Sequence, residues 1–130
     1  MPTVLISGAS RGIGRATAKL FACSGWDLLL VSRNEDSLKA LSDELIETGR
    51  TVYCKAIDFE NPESIAPSLE ELLDKGLCPS ALINNAGVAW TGDLLSMPLS
   101  RWQWLIQVNL TSVFQVCSVV VPFMRDKGGL

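Results

Sequence analysis

The sequence predicts an α/β fold, a doubly wound parallel sheet with helices on both faces. Three observations carry that expectation. Short aliphatic runs, Val4-Leu5-Ile6, Leu28-Leu29-Leu30-Val31 and Ala81-Leu82-Ile83, alternate with stretches of helical period, as βαβ units require. The runs are apolar at consecutive rather than alternate positions, the pattern of strands buried on both faces. A glycine-rich turn, Ser7-Gly8-Ala9-Ser10-Arg11-Gly12-Ile13-Gly14, joins the first run to the first helix. Right-handed crossovers then place four strands in the order 3-2-1-4.

Thr3 to Ser7 is the first strand, and the helix after the turn reaches about Ser24, with Gly25 in a capping place. The turn sets bare backbone N–H groups at the positive end of a helix, where a phosphate binds well. Gly8 permits the tight turn, Gly12 the approach of a pyrophosphate, and Gly14 the packing of helix on strand. Its spacing is G-x-x-x-G-x-G rather than G-x-G-x-x-G, and a turn that holds no ligand is the alternative. Leu28 to Val31 is the second strand. Asn34 caps the next helix, Glu35 and Asp36 complement its dipole, and Leu38, Leu41, Leu45 and Ile46 form its apolar stripe before Gly49.

Thr51 to Ile57 is the third strand, ending at Asp58. Asn61-Pro62-Glu63 opens a third helix with Ile65, Leu69, Leu72 and Leu73 inward, and Gly76 ends it. Pro67 is expected to bend this helix or to delay its start. Ala81 to Ile83 is the fourth strand and runs into Asn84-Asn85-Ala86-Gly87. After a polar loop with Gly92 and Pro98, a helical region runs from about Ser100 to Arg125, with bends expected near Asn109 and at Pro122. Lys127-Gly128-Gly129-Leu130 reads as a helix end leading into a further strand.

The 130 residues make one domain, and 48% apolar against 19% charged content excludes disorder. A net charge of −3 with scattered basic residues excludes a nucleic-acid partner. Cys23, Cys54, Cys78 and Cys117 form no C-x-x-C pair and the chain has no histidine, so no zinc site is expected. With no basic region followed by a long apolar core at the N-terminus, no secretory signal is expected. The most apolar stretch, Val113 to Met124, is interrupted by Gln115, Ser118 and Pro122 and is too short to span a bilayer. A cytoplasmic protein with reduced cysteines and no membrane contact is the expectation.

In the order 3-2-1-4 the crevice between strands one and four is where ligands settle, and both the glycine turn and Asn84 to Gly87 lie at its rim. A dinucleotide site places an acidic residue at the end of strand two to hold the ribose hydroxyls. Here Ser32-Arg33 stands there, with Arg11 inside the turn. Two cations and no carboxylate favour a 2′-phosphate, hence NADP(H) over NAD(H), although either arginine could simply be solvated. Asp58 can accept from an adenine amino group, or cap the approach to a helix. The Asn84 and Asn85 amides can tie neighbouring strands. Asn109, amid Leu105, Ile106, Val108, Leu110 and Val113, is either a paired amide in a bend or a solvent-facing side chain.

Together these residues resemble the N-terminal half of a short-chain dehydrogenase/reductase, over the whole chain. The resemblance rests on Ser7 to Gly14, Asp58, Asn84-Asn85-Ala86-Gly87 and Val108-Asn109-Leu110, in the family's order and at its intervals. Ser7 stands where threonine is more usual. The resemblance implies a Rossmann-type domain, incomplete at its C-terminal end. It implies that Ser10, Arg11 and Ile13 contact the cofactor phosphates and ribose, and that Arg33 meets the 2′-phosphate. Asp58 and Phe59 then flank adenine, Asn85, Ala86 and Gly87 line the ribose side, and Asn109 holds a water in the proton relay. The implied reaction is NADP(H)-dependent interconversion of a carbonyl and an alcohol, by a protein whose complete form is a homo-oligomer.

The family's catalytic serine and Tyr-x-x-x-Lys follow the fifth strand. The single tyrosine here, Tyr53, is followed four residues on by Ile57 and reads as a packing residue of strand three. On that reading the 130 residues carry the cofactor site without the proton donor and are inactive alone. The alternatives are a non-catalytic NADP(H)-binding or interaction module, and a piece that does not pack alone because Trp102, Trp104, Leu105, Val113, Phe114, Val119, Val120 and Phe123 are left bare. Trp90, Thr91 and Leu94 are expected beside the substrate, whose identity the chain does not define.

Overall fold

The computed structural model describes residues 1–127, so the expected entry into a further strand at Gly128-Gly129-Leu130 lies outside the described residues. The chain runs β1 (Thr3–Ser7), α1 (Gly12–Cys23), β2 (Asp27–Ser32), α2 (Glu35–Ile46), β3 (Val52–Ala56), α3 (Pro62–Leu73), β4 (Ala81–Ile83), α4 (Leu99–Ile106), a π-helical segment (Gln107–Thr111) and α5 (Ser112–Asp126). The four strands form one sheet in the order β3-β2-β1-β4, as expected, and every pairing is parallel. Ile6 faces Leu30 on one side and Ile83 on the other. That register brings the C-terminal ends of all four strands to one edge.

Successive side chains on a strand point to opposite faces, and both faces here are covered. Val4, Ile6, Leu28 and Leu30 pack with Ala18, Ala22, Leu38, Leu41 and Leu45, beneath α1 and α2. Leu5, Leu29 and Val31 pack with Ile65, Leu69, Leu72, Val116, Val120 and Met124, beneath α3 and α5. This two-sided burial explains the unbroken aliphatic runs. Tyr53 packs against the second of these cores. Outside the first core, Glu44 of α2 accepts from Lys19 at 2.6 Å and Arg15 at 2.7 Å of α1. The Lys19 hydrogen bond is the main cause holding this carboxyl below its usual range.

Asn34 caps α2 as expected, its Oδ1 accepting from the Ser37 amide at 2.9 Å, with Glu35 and Asp36 in the first turn. Asn34→Ala should therefore lower the unfolding free energy by about 1 kcal/mol in a urea titration. Ile46 was expected on the inward stripe, yet it is 50% exposed. It stands about 100° around the helix from the buried Leu45, off the face that Leu38, Leu41 and Leu45 share.

Pro67 neither delays α3, which begins at Pro62, nor interrupts it. The carbonyl its ring deprives is that of Glu63, in the opening turn, so the loss is one bond near a helix end.

Leu99–Asp126 form a continuous helical run of 28 residues with mean hydropathy 1.6 in its most apolar window, long and apolar enough by those measures to cross a membrane. The expectation of a stretch too short for that took Val113 to Met124 alone, whereas the helical run begins at Leu99. Val116, Val120 and Met124 line one face of it and pack into the sheet core, and Trp104, Val119 and Phe123 pack partly against that core rather than lying bare. Leu99, Trp102, Leu110 and Phe114 are 52–73% exposed.

Near Asn109 the irregularity is an added residue in the turn, the π-helical Gln107–Thr111. Two side chains around it bond away from the regular ladder. Ser112 Oγ donates to the Val108 carbonyl at 2.6 Å, and the Asn109 amide engages Val88. Local widening of this kind recurs at functional sites.

Candidate functional site

The strand ends enclose a crevice of about 630 Å³. The glycine turn forms its floor. Ala9 N–H donates to the Val31 carbonyl at 3.1 Å, tying the turn to β2. On the other side, buried Ser7 Oγ accepts from the Asn85 amide at 3.1 Å and the Ala86 amide at 3.0 Å. Asn85 Nδ2 donates to the Gly8 carbonyl at 3.1 Å. The amide expected to tie strands does so, between the β4 end and the turn. Asn84 instead reaches the Cys117 sulfur at 3.6 Å. Keeping a hydroxyl at position 7 is thus a structural need, because two backbone donors depend on it.

Gly8 and Gly14 lie against each other and against Asn85. Gly12 differs: its φ is +55° and nothing lies within 4 Å of where a Cβ would stand. The first turn of α1 has no side-chain cap and no acidic residue, in contrast to α2. Its orphan N–H groups and the helix dipole therefore face the crevice uncompensated, which suits an anion. Ile13, 78% exposed, lines the same mouth.

Ser10 Oγ and Ser32 Oγ are 2.7 Å apart, so the turn and the β2 end share a hydroxyl bridge. Arg11 and Arg33, both exposed, line the crevice beside it. A dianionic phosphate fits this cluster of two guanidiniums and two hydroxyls.

Asp58 is exposed, with Oδ1 accepting from the Glu60 amide at 3.0 Å. That oxygen serves the turn, as the capping alternative held, and the carboxylate still borders the crevice. Phe59 is buried behind it. Asn85, Ala86 and Gly87 complete the wall. Of the residues named for cofactor contact, only Gly14 does not line the crevice; it packs behind the turn, as its assigned task requires.

Asn109 is exposed and also paired. Its Oδ1 accepts from Val88 N–H and its Nδ2 donates to the Val88 carbonyl, both at 2.7 Å. The side chain clasps the loop after β4, and each amide atom keeps one further bonding position. Asn109 itself does not line the crevice, nor do Trp90, Thr91 and Leu94. Trp90 lies instead over Gly92.

Sequence reasoning missed Val31, Ile57, Val88 and Val108, whose aliphatic side chains carry no chemical signal, and Trp104, which reaches the rim with Arg101 stacked 4.8 Å over its ring. It also missed Asn34 and Ser37, read only as a helix start.

The family described as short chain dehydrogenase matches residues 2–130. The chain belongs to the short-chain dehydrogenase family. Sulfoacetaldehyde reductase 2 of Chromohalobacter salexigens is 32% identical, over 96% of this chain and 50% of that protein. The structure of L-sorbose reductase from Gluconobacter frateurii, complexed with NADPH and L-sorbose, superposes with a TM-score of 0.91 at 28% identity, covering 98% of this chain and 49% of that one. A short-chain dehydrogenase from Sphingobium yanoikuyae in complex with NADPH gives 0.88 at 36% identity, covering 98% and 50%. This chain thus spans about half the length of the short-chain dehydrogenases it matches.

Proposed function

We propose that this chain is the NADP(H)-binding part of a short-chain reductase that interconverts a carbonyl and an alcohol. The observation that carries the reading is the pair Arg11 and Arg33 beside the Ser10–Ser32 bridge, at the C-terminal end of β2, where no carboxylate stands. The solved relatives complexed with NADPH support it.

On this reading, the uncapped N-terminus of α1 and the open face of Gly12 receive the pyrophosphate. Ser32 and Arg33 bind the 2′-phosphate with Arg11, and Asp58 accepts from the adenine amino group. Phe59 backs the adenine, and Asn85, Ala86 and Gly87 line the ribose side, as Ser10 and Ile13 do from the turn. Asn109 orients the loop at Val88 and holds a water of the proton relay. The bound cofactor supplies hydride to the carbonyl carbon. A tyrosine-lysine pair in the complete enzyme supplies the proton. Its substrate is a small carbonyl compound or alcohol. The exposed Leu99, Trp102, Leu110 and Phe114 support a homo-oligomer, and we place the protein in the cytoplasm.

Calorimetric titration with NADPH and NADH tests the cofactor assignment. One charge-assisted contact to the 2′-phosphate corresponds to a preference of about tenfold or more for NADPH. Equal affinities would overturn it.

A second reading, a non-catalytic binding module, draws on Tyr53 being packed in β3 with Ile57 four residues on. Tight NADPH binding by the protein as encoded in full, without oxidation of NADPH by any of a panel of aldehydes and ketones, would favour it.

A further inference from the structure

The crevice wall at the adenine end is a loop, Asp58 to Asn61, between β3 and α3. One side of it is held by its own turn, with the Asn61 amide donating to the Asp58 carbonyl at 3.0 Å. The other side is held by two glutamines from the long helical run. Gln107 Nε2 donates to the Phe59 carbonyl at 3.1 Å and to Gln115 Oε1 at 3.0 Å. Gln115 Nε2 in turn donates to the Pro62 carbonyl at 3.2 Å.

The polarity of this chain of bonds is forced. The atoms that Phe59 and Pro62 present to the glutamines are carbonyl oxygens, so both amide nitrogens must face the loop. Both protons of the Gln107 amide are then committed, and one of Gln115. Gln107 belongs to the same π-helical segment as Asn109, which clasps Val88 on the opposite side of the crevice.

We propose that Gln107 and Gln115 are positioning residues, holding the Asp58–Phe59 wall to the helix that carries Asn109 so that the Asp58 carboxylate can read the amino group of adenine. The inference rests on the cofactor assignment above and goes beyond it, since neither glutamine lines the crevice. Their effect on the base passes through the Phe59 and Pro62 carbonyls. One segment two residues apart thereby frames both walls of the crevice, Gln107 toward the adenine end and Asn109 toward the loop after β4.

The test is base discrimination, which a general loss of stability would not alter. NADPH and its hypoxanthine analogue differ at the atom facing Asp58: an amino donor in one, a carbonyl oxygen in the other. The unaltered chain should prefer NADPH by about tenfold, the value of one hydrogen bond to a charged acceptor. Gln107→Ala should bring the two affinities to within about twofold, by weakening NADPH and sparing the analogue.

Gln107→Glu should do the same, because it sets a carboxylate against the Phe59 carbonyl and Gln115 Oε1. Gln115→Glu should lose only part of the preference: it sets a carboxylate against the Pro62 carbonyl, but Gln107 can still donate to both Phe59 and the new carboxylate. This ordering separates positioning from mere packing, and Gln115→Glu serves if either variant at 107 fails to fold. Gln103→Ala, on the exposed face of α4, should match the unaltered chain.

A full preference for NADPH in Gln107→Ala would overturn the proposal. So would loss of preference in Gln115→Glu equal to that in Gln107→Glu, or an unaltered chain that binds both compounds equally. An unaltered chain that binds neither would overturn the cofactor assignment itself, and the positioning role with it.

Discussion

Gly14→Ala is expected to destabilise the chain by about 3 kcal/mol or more, at the upper end of what one added methyl does in a packed interior. A Cβ at position 14 would overlap the Gly8 carbonyl oxygen and stand 2.6 Å from Asn85 Nδ2. Neither can retreat. The Asn85 amide is bonded to that same carbonyl, and Gly8 is already closed against the next layer, where a Cβ of its own would stand 2.9 Å from the Ala86 Cα.

The Ser7 hydroxyl fixes Asn85 and Ala86 from below. The added methyl must therefore part α1 from the junction of β1 and β4, which would also remove the floor of the crevice. Gly12→Ala is the matched control. Its Cβ would meet nothing, so only the cost of a positive φ is left, about 1–2 kcal/mol. Urea midpoints with unchanged slopes would show the difference. Equal midpoints for the two variants would mean that the turn is not packed as tightly as the structure has it.

The parts of this fold visible in the sequence were those in which one residue type has one physical use. Consecutive aliphatic residues at β1 and β2 had to be buried on two faces, and Asn34 before two acidic residues had to be a cap. The glycines at 8, 12 and 14 were legible as a turn with Gly12 open to a ligand and Gly14 closed on protein; that Gly8 is also closed, on Asn85 and Ala86, was not.

The parts hidden from the sequence depend on what lies across the gap. Ile46 stands at the margin of a helical stripe, about 100° around from the buried Leu45, and there it is exposed. Val31, Ile57, Val88 and Val108 line the crevice with side chains that would serve equally in a core. Trp104 falls on the rim, although its helical spacing reads equally well as core packing. Asn109 was read as buried or exposed, whereas it is exposed to solvent and doubly bonded to one backbone unit at once. Gln107 and Gln115, eight residues apart and polar in an apolar helix, carried no motif. Their meaning lies in two carbonyls roughly fifty residues earlier.

Charge reversal at position 33 is expected to invert the choice of cofactor. Arg33 follows the last residue of β2, the place at which a carboxylate would bond the ribose hydroxyls of NAD(H) and repel a 2′-phosphate. Arg33→Ala should weaken NADPH by about ten- to a hundredfold, the range of one charge-assisted contact, while leaving NADH within about twofold. Arg33→Asp should go further, with NADH then bound more tightly than NADPH.

Arg11 stands on the same side of the crevice, so Arg33→Ala should retain part of the preference and the double variant with Arg11→Ala should abolish it. Salt supplies an independent check. Exposed charge pairs are screened within about 8–10 Å at ordinary ionic strength, so NADPH affinity should fall with added salt in the unaltered chain and much less in the double variant. NADH affinity should show the weaker dependence in both, because on the proposed reading the pyrophosphate is held chiefly by backbone N–H groups of the glycine turn. If NADH and NADPH respond alike to salt and to Arg33→Asp, the guanidiniums face solvent only, and the preference for a 2′-phosphate has no basis in this crevice.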